Sequence, residues 1–283
     1  MFNIKKVGHA GTLDPMATGI LPIAVGEATK CISFLQNKKK KYFFTIKWGE
    51  GTETDDSEGK VIERSKNRPT EDQILKIISS FLGEIFQKPP IYSAIKINGQ
   101  RSYKLARQNL FFEHNSRKVK IYKLTLKKIL NLDSAQFEVV CSKGTYVRSL
   151  AKDIAEKLKT KGHITELRRL SVGNFVVKDT IFMDFSKEII HSPSVLDKIL
   201  PIEAALDDIP ALLLTKHEAR KLKLGQKIDF ESLEFKKKFI EKFPNHINFE
   251  KICAFYDHNL IAIIKIEEGL VKPKRIIKIG RAH

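Results

Sequence analysis

The sequence predicts an α+β fold: a mixed, largely antiparallel central sheet flanked by helices, followed by a small β-rich domain. Three observations carry this prediction. Strand and helix patterns are interspersed along residues 1–205 without a regular βαβ repeat. Hairpin signals are frequent, Asn98-Gly99 being the plainest. Beyond residue 205 the chain becomes short apolar runs with charged turns, "KIDF", "KICAFYD", "LIAIIKIEE" and "RIIKIG". A boundary is therefore expected near 205, dividing 1–205 from 206–283. A chain of 283 residues, 42% of them hydrophobic, has ample material for such a pair of cores.

The elements follow in order. "ILPIAVG" (20–26) is an apolar run bounded by glycine, expected as a buried strand. "EATKCISFLQ" places Ala28, Cys31, Ile32 and Leu35 at helical spacing. After a lysine run, Tyr42, Phe44, Ile46 and Trp48 share one parity, which is a strand signal. "ETDDSEG" is a turn. In "PTEDQILKIISSFLG" (69–83), Thr70 and Gln73 have capping-box spacing, and Ile74, Ile77, Ile78 and Phe81 lie on one helical face. "QKPPIYSAIKINGQRSY" is extended chain around the Asn98-Gly99 turn, and "SYKLARQ" begins a short helix. Strands are expected over 118–130 and 136–142, an amphipathic helix over 144–162, and a strand in "HITELRRLSVGNFVV". Near 200–210, "ILPIEAALDDIPALLLT" reads as a helix and a connection.

Charge narrows the choice of partner. The 51 Lys and Arg exceed the 33 Asp and Glu, for a formal charge of +18. The excess is spread along the chain: residues 206–283 hold 16 basic and 11 acidic side chains. Such a surface suits a polyanion, nucleic acid first and an anionic membrane second. No run reaches the roughly 18–20 apolar residues of a membrane-spanning helix, and "MFNIKKVGHAG" lacks a signal-peptide core. Three dispersed cysteines, Cys31, Cys141 and Cys253, read as reduced thiols in a cytoplasmic protein. There is no phosphate-binding glycine loop, no H-E-x-x-H, no Cys/His cluster and no G-x-S-x-G.

Candidate chemistry begins at "HAGTLDPMATG" (9–19). Asp14 precedes Pro15, which pushes it to extended geometry on a stiff loop fenced by Gly8, Gly11 and Gly19. By turn statistics alone such an Asp opens a turn. In "ELRRLSVG", alternation puts Ile164, Glu166, Arg168, Leu170 and Val172 on one face, leaving Arg168 among aliphatic neighbours. A buried arginine needs an anion, and Glu166 or a distant Asp would serve; a solvated edge-strand arginine fits the pattern equally well. Tyr42 opens its strand, where a tyrosine belongs to the core more often than to chemistry.

"GHAGTLDPMATGILPIAVGEATK" (8–30) resembles the catalytic signature of the TruB family of tRNA pseudouridine synthases. The resemblance continues in "KKYFFTIKWGEGTETDDSEG" (40–59), "KPPIYSAIKINGQRSYKLAR" (88–107), "CSKGTYVRSLAKDIAEKL" (141–158) and "LRRLSVGNF" (167–175), in family order. It implies a pseudouridine synthase fold with a PUA-like RNA-binding domain at 206–283. It implies isomerisation of uridine 55 in the T loop of tRNA, stand-alone, by base flipping, with no cofactor and no metal. Asp14 takes the place of the family's nucleophile. The first arginine of the L-R-R segment maps to Arg168 as the cation beside that carboxylate. Tyr42 maps to the tyrosine that stacks on the base and helps remove the proton at carbon 5. His9 maps to the histidine that supports the flipped nucleotide, although a loop histidine bonded to backbone fits the residue as well. Lys96 and Arg101 lie in the stretch resembling the family's insert that grips the T arm.

The resemblance also sets a departure and two rivals. Family members carry a K-P-x-G-x-[ST]-S segment upstream, whereas only eight residues precede His9. An internal start or a short chain is expected, with weakened support for the Asp14 loop. One rival is a guide-dependent synthase sharing H-x-G-T-L-D-P; the other is a non-catalytic tRNA-binding or folding protein. The expected partner is the tRNA T arm, with no membrane and no obligate protein partner.

Overall fold

The computed structural model describes residues 6–97, 99–108, 110, 112–182, 198–244 and 249–278. By compactness the chain divides into two units, one of residues 11–22 and 36–180, the other of residues 1–10, 23–35 and 181–283. This division is not the linear one expected at 205, because two N-terminal segments and residues from 181 onward cluster with the C-terminal strands.

The first unit is built on one sheet. Its strands are β1 (Lys40–Trp48), β2 (Gly83–Gln87), β3 (Arg117–Asn131), β4 (Ser134–Cys141), β5 (Gly162–Val172) and β6 (Phe175–Val176). Their order is β6–β5–β1–β4–β3–β2, every pair antiparallel, and Thr18–Gly19 adds alongside β5 in parallel. The sheet is therefore mixed and largely antiparallel. The parity read along β1 holds: Tyr42, Phe44, Ile46 and Trp48 are all buried, and Phe137 of β4 stacks on Phe44 and meets Trp48 edge-on. Helix α1 (Glu71–Ile78) starts at Thr70 with the reciprocal capping box, which satisfies two otherwise unpaired amides. Helix α2 (Val147–Lys157) covers the core with Val147, Leu150, Ala151 and Ile154. It is shorter than 144–162: Gly144 has φ +82, and Lys159 leaves through a left-handed φ of 56.

Strand β5 departs from simple alternation. It pairs Ile164 with Ile46 and then Glu166 with Thr45, so Thr165 is an extra residue. A bulge of one residue exchanges the faces of everything after it. Leu167 and Arg169 thus lie opposite Phe44 and Tyr42 and are buried, while Arg168 is only partly covered. Beside the sheet, Lys96–Ile97 and Gln100–Arg101 pair as a hairpin, with Lys96 opposite Arg101. Gly99 has φ +84, as the turn requires; Asn98 lies outside the described residues.

The second unit holds a five-stranded sheet of β7 (Ala211–Leu213), β8 (Ile228–Asp229), β9 (Ile252–Tyr256), β10 (Asn259–Glu267) and β11 (Leu270–Ile276). Its order is β7–β9–β10–β11–β8, with β7 and β9 parallel. Helix α3 (Lys216–Lys223), capped by Thr215 and Glu218, packs Ala219 and Leu222 into a core with Leu212, Ile252, Ile264 and Val271. Two expectations change here. "ILPIAVG" yields only Ile23–Val25, paired with Val7–His9, and the strand is not a buried one, because Ile23 is 55% exposed. The helix expected near 200–210 is a single tight turn, Ile202–Ala205. Among the described residues no helix is long and apolar enough to cross a membrane.

Candidate active site

Asp14 sits midway along a loop whose two ends are glycines with φ +100, Gly11 and Gly19. Pro15 stiffens the loop, and the Ala17 amide donates to the Asp14 carbonyl at 2.9 Å, closing a turn just after the carboxylate. At Gly19 only glycine fits, since a Cβ there would lie 2.2 Å from the Arg169 carbonyl oxygen.

The cation at this carboxylate is Arg148. It occupies the first turn of α2 with its side chain 5% exposed, against 29% for Asp14. Arg148 Nη2 donates to Asp14 Oδ1 at 3.0 Å. Its Nε lies 2.9 Å from Oδ2, close enough to pair but too bent to hydrogen-bond. The remaining donors are used as well: Nη1 reaches the Thr54 carbonyl at 3.0 Å and Asp56 Oδ2 at 3.2 Å, and Nη2 reaches the Tyr92 carbonyl at 3.1 Å. Asp56 in turn accepts from the Thr54 hydroxyl at 2.5 Å and the Glu58 amide at 3.0 Å. The acidic turn expected as a solvated loop therefore supplies a second buried carboxylate that holds the arginine in place.

This geometry corrects the assignment of Arg168. Its Nη1 donates to the Thr18 hydroxyl at 3.3 Å at the surface, and its neighbour Arg169 is the buried one, at 1% exposure. Arg169 Nε donates to the Ile20 carbonyl at 2.8 Å and Nη2 to the Gly11 carbonyl at 2.9 Å. The physical reason is the extra residue at Thr165, which reversed the parity on which Arg168 was placed inward. Arg148 carries its own sequence signal: Ala151 and Ala155, three and seven residues on, leave its helical flank small enough to bury a guanidinium.

Tyr42 is buried, and burial pushes its hydroxyl up to about 12. The Arg169 guanidinium and a hydrogen bond to it oppose that rise, and the charge of Asp14 adds to it. Tyr42 and Asp14 thus belong to one electrostatic neighbourhood. Lys40, two residues before Tyr42, is also buried; its Nζ donates to the Gln36 and Lys38 carbonyls at 2.8 and 3.1 Å. Burial lowers it from 10.5 to about 8. Lys96 and Arg101 are exposed across their hairpin from one another, with Arg101 Nη1 on the Ala94 carbonyl. His9 is exposed at the end of its strand and belongs to the second unit. A separate cleft lies at the far end of β1, but its cations are already paired, Lys47 and Arg64 with Glu50 and Arg68 with Asp133.

The family model of the TruB family pseudouridylate synthase N-terminal domain matches residues 1–147, and that of the tRNA pseudouridylate synthase B C-terminal domain matches residues 148–207. The chain belongs to the TruB family of pseudouridylate synthases. The matches run through Asp14, Tyr42, Arg148 and Arg169. TruB relatives extend over almost all of the chain. It is 44% identical to the tRNA pseudouridine synthase B of Rhodospirillum rubrum, covering 97% of this chain and 88% of that one. It is 40% identical to that of Caulobacter sp. strain K31, covering 98% and 89%. Among solved structures it resembles one of a Cbf5-Nop10-Gar1 complex, with TM-score 0.71 and 22% identity over 98% of this chain and 78% of that chain. An H/ACA RNP bound to a substrate RNA containing 2'-deoxyuridine gives a TM-score of 0.67 at 20% identity, with the same coverage. The two structures share the TruB-type fold.

Proposed function

We propose that the chain isomerises uridine 55 in the T loop of tRNA to pseudouridine, acting alone, with Asp14 as the nucleophile. The observation that carries this reading is a carboxylate on a stiff loop, held by a buried arginine whose other donors are all engaged. Relatives named tRNA pseudouridine synthase B favour tRNA as the substrate, and their 40–48% identity outweighs the 20–22% shared with the guide-associated structures. In the isomerisation the bond from C1′ to N1 breaks and one from C1′ to C5 forms. C5 loses a proton and N1 ends with one, so no redox partner is needed. A carboxylate serves as a covalent nucleophile in such glycosyl chemistry.

Tyr42 lies where its ring can stack on a base, and burial keeps its hydroxyl protonated in the free enzyme. To take the proton from C5 it would first have to lose its own, and Arg169 is the nearby group that makes this easier. The uridine must leave its loop to reach Asp14, at a cost of a few kcal/mol. Phosphate contacts offset that cost, with Lys96 and Arg101 on the exposed hairpin as candidates and His9 supporting the flipped nucleotide.

The test uses an unmodified tRNA transcript, with pseudouridine mapped by chemical labelling. Wild-type protein is expected to modify position 55 without guide RNA or partner protein. Asp14→Asn is expected to give no product while binding the transcript with nearly unchanged affinity, because the carboxylate acts in the chemistry and not in docking. Appreciable turnover by Asp14→Asn, with deamidation excluded by mass spectrometry, would remove Asp14 from the role. Binding without any product by the wild type would favour a tRNA-folding protein instead.

A further inference from the structure

We infer that Arg169 is a positioning residue that fastens both ends of the Asp14 loop to the sheet and so sets the reach of the carboxylate. The inference rests on the pseudouridine synthase reading above. It concerns a residue that touches neither Asp14 nor the ion pair that holds it.

Arg169 is among the largest side chains buried below 2% exposure. An arginine taken out of water ordinarily finds a carboxylate. This one instead spends its fork on main-chain carbonyls, that of Gly11 where the loop begins and that of Ile20 where it ends. Its own carbonyl accepts from the Ile20 amide at 2.9 Å, and the Arg168–Arg169 stretch pairs in parallel with Thr18–Gly19. One residue of β5 therefore bonds to both ends of the loop, through side chain and backbone at once.

The two glycines belong to the same arrangement. A Cβ on Gly11 would meet Arg169 Nη1 at 3.5 Å, and one on Gly19 would collide with the Arg169 main chain. The loop ends are thus shaped around this residue. Asp14 projects from the middle, where Arg148 holds its carboxylate. Arg148 orients the acid and Arg169 fixes the span from which the acid hangs. The requirement is for a planar fork: two carbonyls on either side of a guanidinium can be bridged, whereas one ammonium on a flexible stem reaches only one of them well.

The experiment compares Arg169→Lys with wild type, measuring turnover on the unmodified tRNA transcript and amide hydrogen exchange of the free protein. Lysine retains charge and apolar stem, so it separates the fork from the cation. Loosening of the loop is expected to lower kcat by about 10- to 100-fold with KM for the transcript changed by less than about threefold. Exchange across residues 12–18 is expected to rise by about tenfold or more while β1 and β4 keep their protection. Gly19→Ala, which leaves the arginine in place but displaces the loop end from it, is expected to reproduce both effects. Three results would overturn the inference: wild-type exchange in the loop of Arg169→Lys, a change in KM alone, or protection lost in β1 and β4 together with the loop. The last would make Arg169 a support of the core only. Should wild type form no pseudouridine, the functional reading fails, while the exchange measurement still decides whether Arg169 fastens the loop.

Discussion

Arg148 serves two carboxylates of unequal exposure, and the difference has an energetic consequence. The Asp56 side chain is 2% exposed and that of Asp14 is 29%. Removing a cation from a fully buried partner costs about 3–5 kcal/mol, whereas a partner in touch with solvent is rehydrated for about 1 kcal/mol or less. Arg148→Met should therefore abolish activity through Asp14 but destabilise the fold chiefly through Asp56. In double-mutant cycles by denaturant unfolding, the coupling of Arg148 to Asp56 is expected to exceed its coupling to Asp14 by about 1–2 kcal/mol. Accordingly, Asp56→Asn combined with Arg148→Met should recover much of the lost stability and none of the activity. A larger coupling to Asp14 would mean that the catalytic carboxylate, and not the supporting one, carries the stability of the pair.

Elements show which features of the molecule a sequence displays and which it conceals. The strand parity of β1 and the capping box of α1 were readable because each is local: side chains two residues apart share a face, and Thr70 with Gln73 completes a cap unaided. Asp14 was readable for the same reason, since its proline and glycines are its neighbours in sequence. Its cation was not. Arg148 meets Asp14 across 134 residues, and the bulge at Thr165 that turns Arg169 inward is set by pairing with β1, which no alternation within β5 reveals. Helix α2 bears a further consequence of packing. Burial pushes the Asp153 carboxyl up to about 6, Glu156 and Asp55 add to the rise, and Lys152 opposes it. With a folded value above the ordinary 3.8, the native state binds more protons than the unfolded chain between 3.8 and about 6. Stability from this group is thus greatest below that window and falls as pH rises through it. Asp153→Asn should raise the melting temperature at pH 7 by about 2–4 °C, and the gain should vanish toward pH 4. A gain that persisted at pH 4 would show that the substitution acts through something other than this titration.

At the scale of the whole molecule, the excess of charge has to be weighed against the few residues that read the substrate. A formal +18 spread over both ends of the sequence attracts any polyanion, so it cannot by itself select one uridine. Selection would have to come from the shape of a folded RNA loop and from the pocket that receives the flipped base, while phosphate contacts supply affinity. The two contributions respond differently to salt. Each phosphate neutralised releases a counterion, so log K for the transcript should fall linearly with log salt, and six to ten such contacts would lower affinity by about 10³- to 10⁵-fold between roughly 50 and 200 mM salt. Charge removal at the exposed hairpin, Lys96→Gln with Arg101→Gln, should make that slope shallower by about 1–2 and weaken binding to every RNA alike. It should leave single-turnover rates at saturating transcript close to those of wild type, because neither side chain belongs to the Asp14–Arg148–Tyr42 group. A slope unchanged in the double variant would show that this hairpin makes no phosphate contacts, and the gripping surface would have to be sought elsewhere on the basic face. A fall in the saturated rate would instead mean that Lys96 and Arg101 act on the bound uridine itself.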